Sequence, residues 1–377
     1  MQDTTGPGSK KTPFLMHFSE LEDPRRTDKG NFSHLLSDIL LLTVSAMLCG
    51  VSDWPSVVYF GELQLDWLKK FGSFSKGIPS QDTLERVFAA LNPKSFNTCF
   101  TNWMESVRKM VPGEVIAIDG KSMRGATNIK GSKNMPHIVS AWATENGICL
   151  GQVKVLEKSN EITAIPELVE AVLTKGCTIT IDAMGCQKEI AKTIIENKAD
   201  YILAVKGNQG NLKQAIEDTV RFEQPDTVDI TEDCGHGRIE TRTCSAYNNL
   251  SHVENPNEWI GLSTIFVIES HVYEKSTGKE RTEKRSYISS LPALANQLNR
   301  DVRGHWGVEN NLHWTLDVTF GEDASRKRKK NEAENFNIIL KSVMYLLATD
   351  KTKKISKKNK RFKAALDVKY REMLLGF

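Results

Sequence analysis

The sequence predicts an α/β protein, a mixed sheet flanked by helices, with a helical domain ahead of it and a β-rich segment inserted into it. Two short apolar runs carry most of that expectation. Val115-Ile116-Ala117-Ile118 and Ile179-Thr180-Ile181 suit central strands of a sheet covered on both faces. A third observation is the turn Glu145-Asn146-Gly147 between His137–Ala143 and Ile148–Leu156, which reads as a β-hairpin.

In chain order, Met1 to Thr12, with Gly6, Pro7 and Gly8, reads as a flexible leader. From about Phe14 to Met110 the pattern is helical. One helix covers Leu35–Leu48 and a second Trp54–Phe71. A third is capped by Ser80, with Asp82 in its first turn, and a last runs from Ser95 to about Met110. Residues 1–112 therefore form a helical domain. Its short helices and tight turns could read DNA, although most small helical domains bind none. Pro112-Gly113 marks a boundary, and the first part of the α/β core spans 113–222. There Glu161–Lys175 is amphipathic, with Ile162, Ile165, Leu168, Val169 and Val172 on one face. A helix over Ile190–Ile195 leads to a strand Tyr201–Val205, which ends at Lys206-Gly207-Asn208. Right-handed crossovers set this strand parallel to the one before it. Residues 223–290, with β-type segments around Thr241–Ala246 and Thr264–Val272, read as an insertion. Helices resume at Leu291, the core continues to 349, and 350–377 is a basic tail.

A chain of 377 residues, 40% hydrophobic and 26% charged, has the composition of an ordinary soluble protein with room for two or three domains. Its seven cysteines are scattered and form no CxxC pair, which excludes a zinc site and a disulfide framework and suits a reducing compartment. No secretory signal opens the chain. The apolar stretch Leu35 to Val51, interrupted by Ser37-Asp38, reads as a buried helix and not a membrane span. A cytoplasmic protein without a membrane partner is expected. From Arg326 to Phe377 there are sixteen Lys/Arg against five Asp/Glu, while the whole chain carries only +3. A basic end on an otherwise acidic protein suits a polyanion such as nucleic acid, or serves only solubility.

Each apolar run ends in an aspartate, Asp119 and Asp182. If the two strands lie side by side and parallel, both carboxylates emerge at one edge. Two acids that close repel unless they share a proton or a cation, and oxygen-only ligands favour Mg²⁺ or Mn²⁺. This points to a metal-dependent enzyme acting on phosphate esters. For either aspartate alone, a plain strand-end turn at Asp-Gly or Asp-Ala is the commoner role. A third acid comes from helical spacing. At about 100° per residue, Val302, Trp306, Glu309, His313 and Leu316 share a sector of about 80°. That sets Glu309 in an apolar-aromatic stripe, where a carboxylate costs several kcal/mol unless paired or metal-bound. Arg303, His305 and His313 are the available partners. Spacing alone does not choose between a buried pair and a ligand; the two strand-end aspartates favour the ligand.

Several blocks carry a family resemblance. They are Ala117-Ile118-Asp119-Gly120-Lys121, Ser159-Asn160-Glu161 through Pro166, Thr180-Ile181-Asp182-Ala183 through Lys188, Lys206-Gly207-Asn208-Gln209-Gly210, His236-Gly237-Arg238, and Arg303 through Val318 followed by Glu322-Asp323. With Leu36-Ser37-Asp38-Ile39-Leu40 and Gly77 through Thr83, these resemble the H-repeat-associated (ISAs-type) DDE transposases over roughly residues 17 to 348. The resemblance implies an RNase H-like core in which Asp119, Asp182 and Glu309 form the catalytic triad and hold two Mg²⁺ (or Mn²⁺) ions. It implies double-stranded DNA as partner, both the element's terminal repeats and the target, with a homodimer pairing two ends. The gap before Glu309 is about twice that between the aspartates, as in relatives that carry a β-rich insertion and a Tyr-Arg-Glu-Lys signature. This chain departs from that signature: Val302, His305 and Leu316 stand at its tyrosine, arginine and lysine positions. Arg303, His305 or His313 would then replace the phosphate contacts. Lys121, Arg124 and Lys206 are expected at the carboxylate edge, and His236 and Arg238 in the insertion, as DNA contacts or as plain surface charges. Trp259 is expected in the core rather than against a base. Asp317, Glu322 and Asp323 either assist the metal site or pair with the basic run Arg326–Lys330. An active transposase is the leading expectation, with a domesticated nuclease or a catalytically silent DNA-binding relic as alternatives.

Overall fold

Four of the N-terminal helices begin at a side chain that accepts a hydrogen bond from a first-turn amide. In the computed structural model, which describes residues 12–25, 33–127, 135–155, 161–235 and 237–377, six helices precede the sheet. They are α1 (Pro13–His17), α2 (Leu36–Leu48), α3 (Trp54–Leu63), α4 (Leu65–Leu68), α5 (Gln81–Ala90) and α6 (Pro93–Val107). Apart from Thr12, the expected leader lies outside the described residues. Asp53 caps α3, Ser80 caps α5, and Asn92 caps α6, with Pro93 in its first turn. The expected helix over Trp54–Phe71 breaks at Gln64 into α3 and α4. Helix α2 is buried all round, as its nearly unbroken apolar sequence requires. Its one acid, Asp38, accepts from the Ser73 and Phe74 amides at 3.0 and 2.8 Å, so the charge that interrupts the apolar stretch pins a loop. Among the described residues no helix is long and apolar enough to cross a membrane.

The sheet begins with β1 (Val115–Ser122), β2 (His137–Ala143) and β3 (Ile148–Val155), an antiparallel meander. Helix α7 (Glu161–Ala171) crosses to β4 (Thr178–Ile181), and α8 (Lys188–Glu196) to β5 (Asp200–Val205); β1, β4 and β5 are mutually parallel. The strand order β3-β2-β1-β4-β5 is the RNase H-like arrangement that the resemblance implies. After α9 (Gly210–Phe222) come β6 (Thr227–Gly235), β7 (Arg238–Tyr247), β8 (Thr264–Glu274) and β9 (Glu280–Ser289). Strand β9 pairs antiparallel with β5, so residues 223–290 continue the same sheet, in the order β9-β8-β7-β6. Strands β6 and β9 are not legible in the sequence. In β6 only Val228 and Ile230 alternate, both exposed, before the strand turns polar, and the first half of β9 is exposed and largely charged, which leaves no sustained apolar face to read. Trp259 is buried at 4% exposure, as expected.

Helix α10 (Ala295–Gly307) crosses the sheet and widens after Gly307 into π-type turns through Thr319. Helix α11 (Glu332–Thr349) is buried along most of its length and packs on α2, α5 and α6 as well as β3, joining the N-terminal helices to the sheet. The last residues are not a loose tail. They form α12 (Lys357–Leu366) and α13 (Val368–Leu375), whose basic side chains satisfy buried helix ends. Arg361 donates to the Met47 and Val51 carbonyls at 3.0 and 3.1 Å, and Lys360 donates to the Leu347 and Asp350 carbonyls at 3.0 and 2.6 Å. Arg371, 1% exposed, donates to Gln64 at 2.7 Å and lies over the Trp67 ring. With Lys327 and Lys341, buried on Ser52 and on Ser140 and Gln152, five of the cations counted as a polyanion surface are structural.

Candidate active site

Parallel pairing of β1 with β4 sets Ile118 opposite Ile181, so Asp119 and Asp182 stand side by side one residue later, Asp182 just past the end of β4 and Asp119 within β1, which runs on to Ser122 paired with β2. Asp182 also accepts the Met184 amide at 3.0 Å and starts a short 3₁₀ turn, so the strand-end turn and the convergent acid coexist in one residue. The two aspartates and Glu309 line one cleft of about 460 Å³, whose other walls include Lys206, Lys213, Lys284, His305 and Trp306.

Glu309 reaches this cleft by a different route from the expected stripe. Its residue is exposed, and the buried line along the helix is Val308, Leu312 and Leu316. The cause is the widened helix: i→i+5 turns advance less per residue than α-turns, so the 100° wheel drifts out of phase beyond Gly307. The carboxylate therefore faces open space and not the core.

Two histidines flank Glu309 one turn away on either side. His305 Nδ1 shares a 2.9 Å hydrogen bond with Thr180 Oγ1 on β4, and His313 Nδ1 lies 3.5 Å from Asp119 Oδ2 on β1. Burial pushes His305 down to about 4 and His313 down to about 3, so both rings are neutral at physiological pH. As uncharged rings they brace the glutamate helix against the two aspartate strands. Burial, and then repulsion from Asp182, Glu309 and Glu161, push the Asp119 carboxyl up to about 7. The donors that converge at the site are hard oxygens. That donor set fits a divalent cation, although among the described residues no three such side chains are already gathered as a metal cage.

The other anticipated residues are scattered. Lys121, 12% exposed at its side chain, is held by Asp317 at 2.7 Å, Glu322 at 2.8 Å and Asp323 at 3.2 Å. Those three acids thus pair with Lys121 and not with the run Arg326–Lys330, and the lysine's ammonium is taken up by carboxylates. Arg124 is largely exposed, 3.7 Å from Asp323, and Lys206 is exposed at the cleft rim. His236 lies outside the described residues. Arg238 and Arg303 stand beside the carboxylate cleft, in a neighbouring groove, and Arg303 pairs with Asp233 at 2.5 Å.

Sequence reasoning missed the pair behind the site. His137 on β2 contacts Glu161 at the start of α7, both nearly fully buried, and Ser122 Oγ lies 3.0 Å from the other ring nitrogen. A Cβ on Gly120 would come within 2.1 Å of His137 Nε2 and 2.6 Å of Glu161 Oε1, so only glycine fits after Asp119. A polar residue such as Glu161 that opens an amphipathic helix carries no signal of burial.

The geometry can be set beside known proteins. A family described as Transposase DDE domain matches residues 111–347, and one described as DDE_Tnp_1-associated matches residues 15–104. The protein YncI of Escherichia coli O157:H7, named as a transposase, is 43% identical over 368 residues, 96% of this chain and 94% of its own. YhhI of Escherichia coli K12, named as an H repeat-associated transposase, is 40% identical over 373 residues, 96% of this chain and 97% of its own. Among solved structures, a piggyBac transposase synaptic complex with hairpin DNA aligns with 96% of this chain and 76% of its own at a TM-score of 0.43 and 13% identity. With the DDE domain matched across the whole sheet and both relatives aligned nearly end to end, the chain belongs to the DDE transposase family.

Proposed function

We propose that Asp119, Asp182 and Glu309 are the catalytic and metal-holding carboxylates of a DNA strand-cleaving and strand-joining enzyme. The observation that carries this reading is their convergence on one cleft, where burial and then the neighbouring acids push the Asp119 carboxyl up to about 7. Two divalent cations, Mg²⁺ or Mn²⁺, when bound by these carboxylates, would offset the charge of a scissile phosphate and activate a water or a 3′-hydroxyl.

The chain's own residues supply position and access. Adjacent parallel strands fix the spacing of Asp119 and Asp182, and the His305 and His313 braces fix the height of the glutamate helix above them. Lys206, Lys213 and Lys284 on the cleft walls offer cations to the backbone of a bound strand, sequence-independent contacts that set its register. Double-stranded DNA carrying the element's ends is the substrate this reading requires, with two copies of the chain to hold two ends.

The test is Mg²⁺- or Mn²⁺-dependent cleavage of DNA carrying the gene's own flanking sequences, comparing wild type with Glu309→Gln and Asp182→Asn. Cleavage by wild type alone, with DNA binding retained in both variants, supports the reading. Binding without cleavage by any of the three proteins refutes it. Pre-cut ends offered with a target duplex then separate joining from simple hydrolysis.

A further inference from the structure

A second groove, of about 590 Å³, lies beside the carboxylate cleft on the face formed by β7–β9 and α10. The two-residue period of a strand puts Arg238, Glu240 and Arg242 in one row on β7, and Arg281, Glu283 and Arg285 in one row on β9. Strand β8 runs between them, with Ser270 opposite both Arg242 and Glu283. Arg303 of α10 borders the same space, so five arginines face two glutamates.

The arginines are not equally provided for. Arg285 is held by Glu283 at 2.8 Å and lies 4.8 Å from the centre of the Trp306 ring. Arg303 is held by Asp233 and, at 3.5 Å, by Glu240. Arg242 is only 6% exposed, yet its buried Nε has no hydrogen-bond partner. A guanidinium so deeply buried is costly unless an anion meets it. Burial and the repulsion of Arg303 both act against its charge. Arg238 and Arg281 stand exposed at the mouth, and no salt bridge holds either among the described residues. A guanidinium's planar fork matches phosphate oxygens, and this groove holds several forks at different depths.

Its position says which phosphate. Arg285, Tyr287, Val302 and Trp306 line both this groove and the carboxylate cleft, so the two spaces share a wall. We infer that the groove is a second backbone site, which binds phosphodiesters of the DNA strand that continues out of the carboxylate cleft, with Arg242 as its buried anchor and Arg238 and Arg281 at its entrance. This rests on the proposed reading of the cleft as the place of DNA cleavage.

The test is the salt dependence of binding to a fluorescent duplex carrying the gene's flanking sequence, read by anisotropy across a salt series. Arg238→Gln and Arg281→Gln change exposed positions and leave the core untouched, Arg242→Lys keeps the buried charge while losing the fork, and Lys192→Gln, an exposed lysine of α8 that lines neither space, serves as control. Each surface substitution in the groove should lower the slope of log Kd against log salt by about 0.9, the double substitution by about twice that, and Lys192→Gln not at all. Arg242→Lys should weaken binding with its slope largely kept. Arginine variants with the wild-type slope and affinity would overturn the inference, as would a wild type that does not bind the duplex. An arginine-dependent slope in a protein that never cleaves would support the groove and defeat the catalytic reading instead.

Discussion

Thr180 Oγ1 and His305 Nδ1 share a 2.9 Å hydrogen bond that ties the helix bearing Glu309 to the strand bearing Asp182. The threonine lies two residues before the aspartate and the histidine four before the glutamate, so one contact couples the heights of two acids. Thr180→Val keeps the shape and leaves a buried ring nitrogen unsatisfied, at about 1–3 kcal/mol. Cleavage should fall at least tenfold with Kd for DNA nearly unchanged, and Thr180→Ser should restore most of the rate. Equal losses in binding and rate would mean that the bond supports the fold and not the spacing of the acids.

Lys121 works on the other side of the same helix. It binds Asp317, Glu322 and Asp323 two residues after Asp119, and these acids hold its ammonium well above the ordinary lysine range. Lys121→Met leaves three partly buried carboxylates facing one another, and stability should drop by about 2–4 kcal/mol at neutral pH. Urea unfolding would measure it. The DNA-binding salt slope should stay at its wild-type value, since this lysine is not offered to phosphate.

The two aspartates and their relation were legible because a parallel pair of apolar strands ending in acids leaves little freedom: register alone brings Asp119 and Asp182 together. Glu309 was legible as a residue but not in its setting, since an ideal helical wheel cannot anticipate the π-type turns that rotate it out of the core. The row Arg238, Glu240 and Arg242 was legible as a run that could track DNA or form a charged hairpin, whereas the row on β9 stayed hidden because Arg281-Thr282-Glu283-Lys284-Arg285 is polar on both faces and gives no period to detect. The C-terminal charge misled for a related reason. Composition counts Lys360, Arg361 and Arg371 as surface, whereas each is buried against carbonyls, a side-chain amide or aromatic rings.

That burial makes removal of the residues from Lys351 onward a stability experiment. The truncation strips Tyr370, Leu374 and Leu375 from the core and exposes the Met47 and Val51 carbonyls, which Arg361 now meets. The shortened chain should melt at least 5 °C lower, at roughly 1–3 °C for each kcal/mol in a chain of this size. A truncated protein with an unaltered melting temperature and a flatter DNA salt slope would restore the picture of a mobile basic arm.

Asp119 gives a pH dependence whose sign follows from its environment. Its carboxyl titrates at about 7 in the folded chain, against about 3.9 for an unfolded aspartate. The fold prefers the protonated form, so the stability this group contributes is fully present below pH 4 and is lost as the pH rises through 7. Asp119→Asn cannot ionise. Measured without divalent metal, its melting temperature relative to wild type should rise steadily from pH 4 to about 7 and level off above. Part of the exposed edge is screened by solvent, so the span should be a few degrees and not the full value of the shift. Added Mg²⁺ should raise the melting temperature of wild type above pH 7, where the carboxylate is ionised, and leave Asp119→Asn nearly unmoved. A difference that stays flat from pH 4 to 8 would mean that Asp119 is solvated and ordinary, and the carboxylate cleft would lose its main physical support.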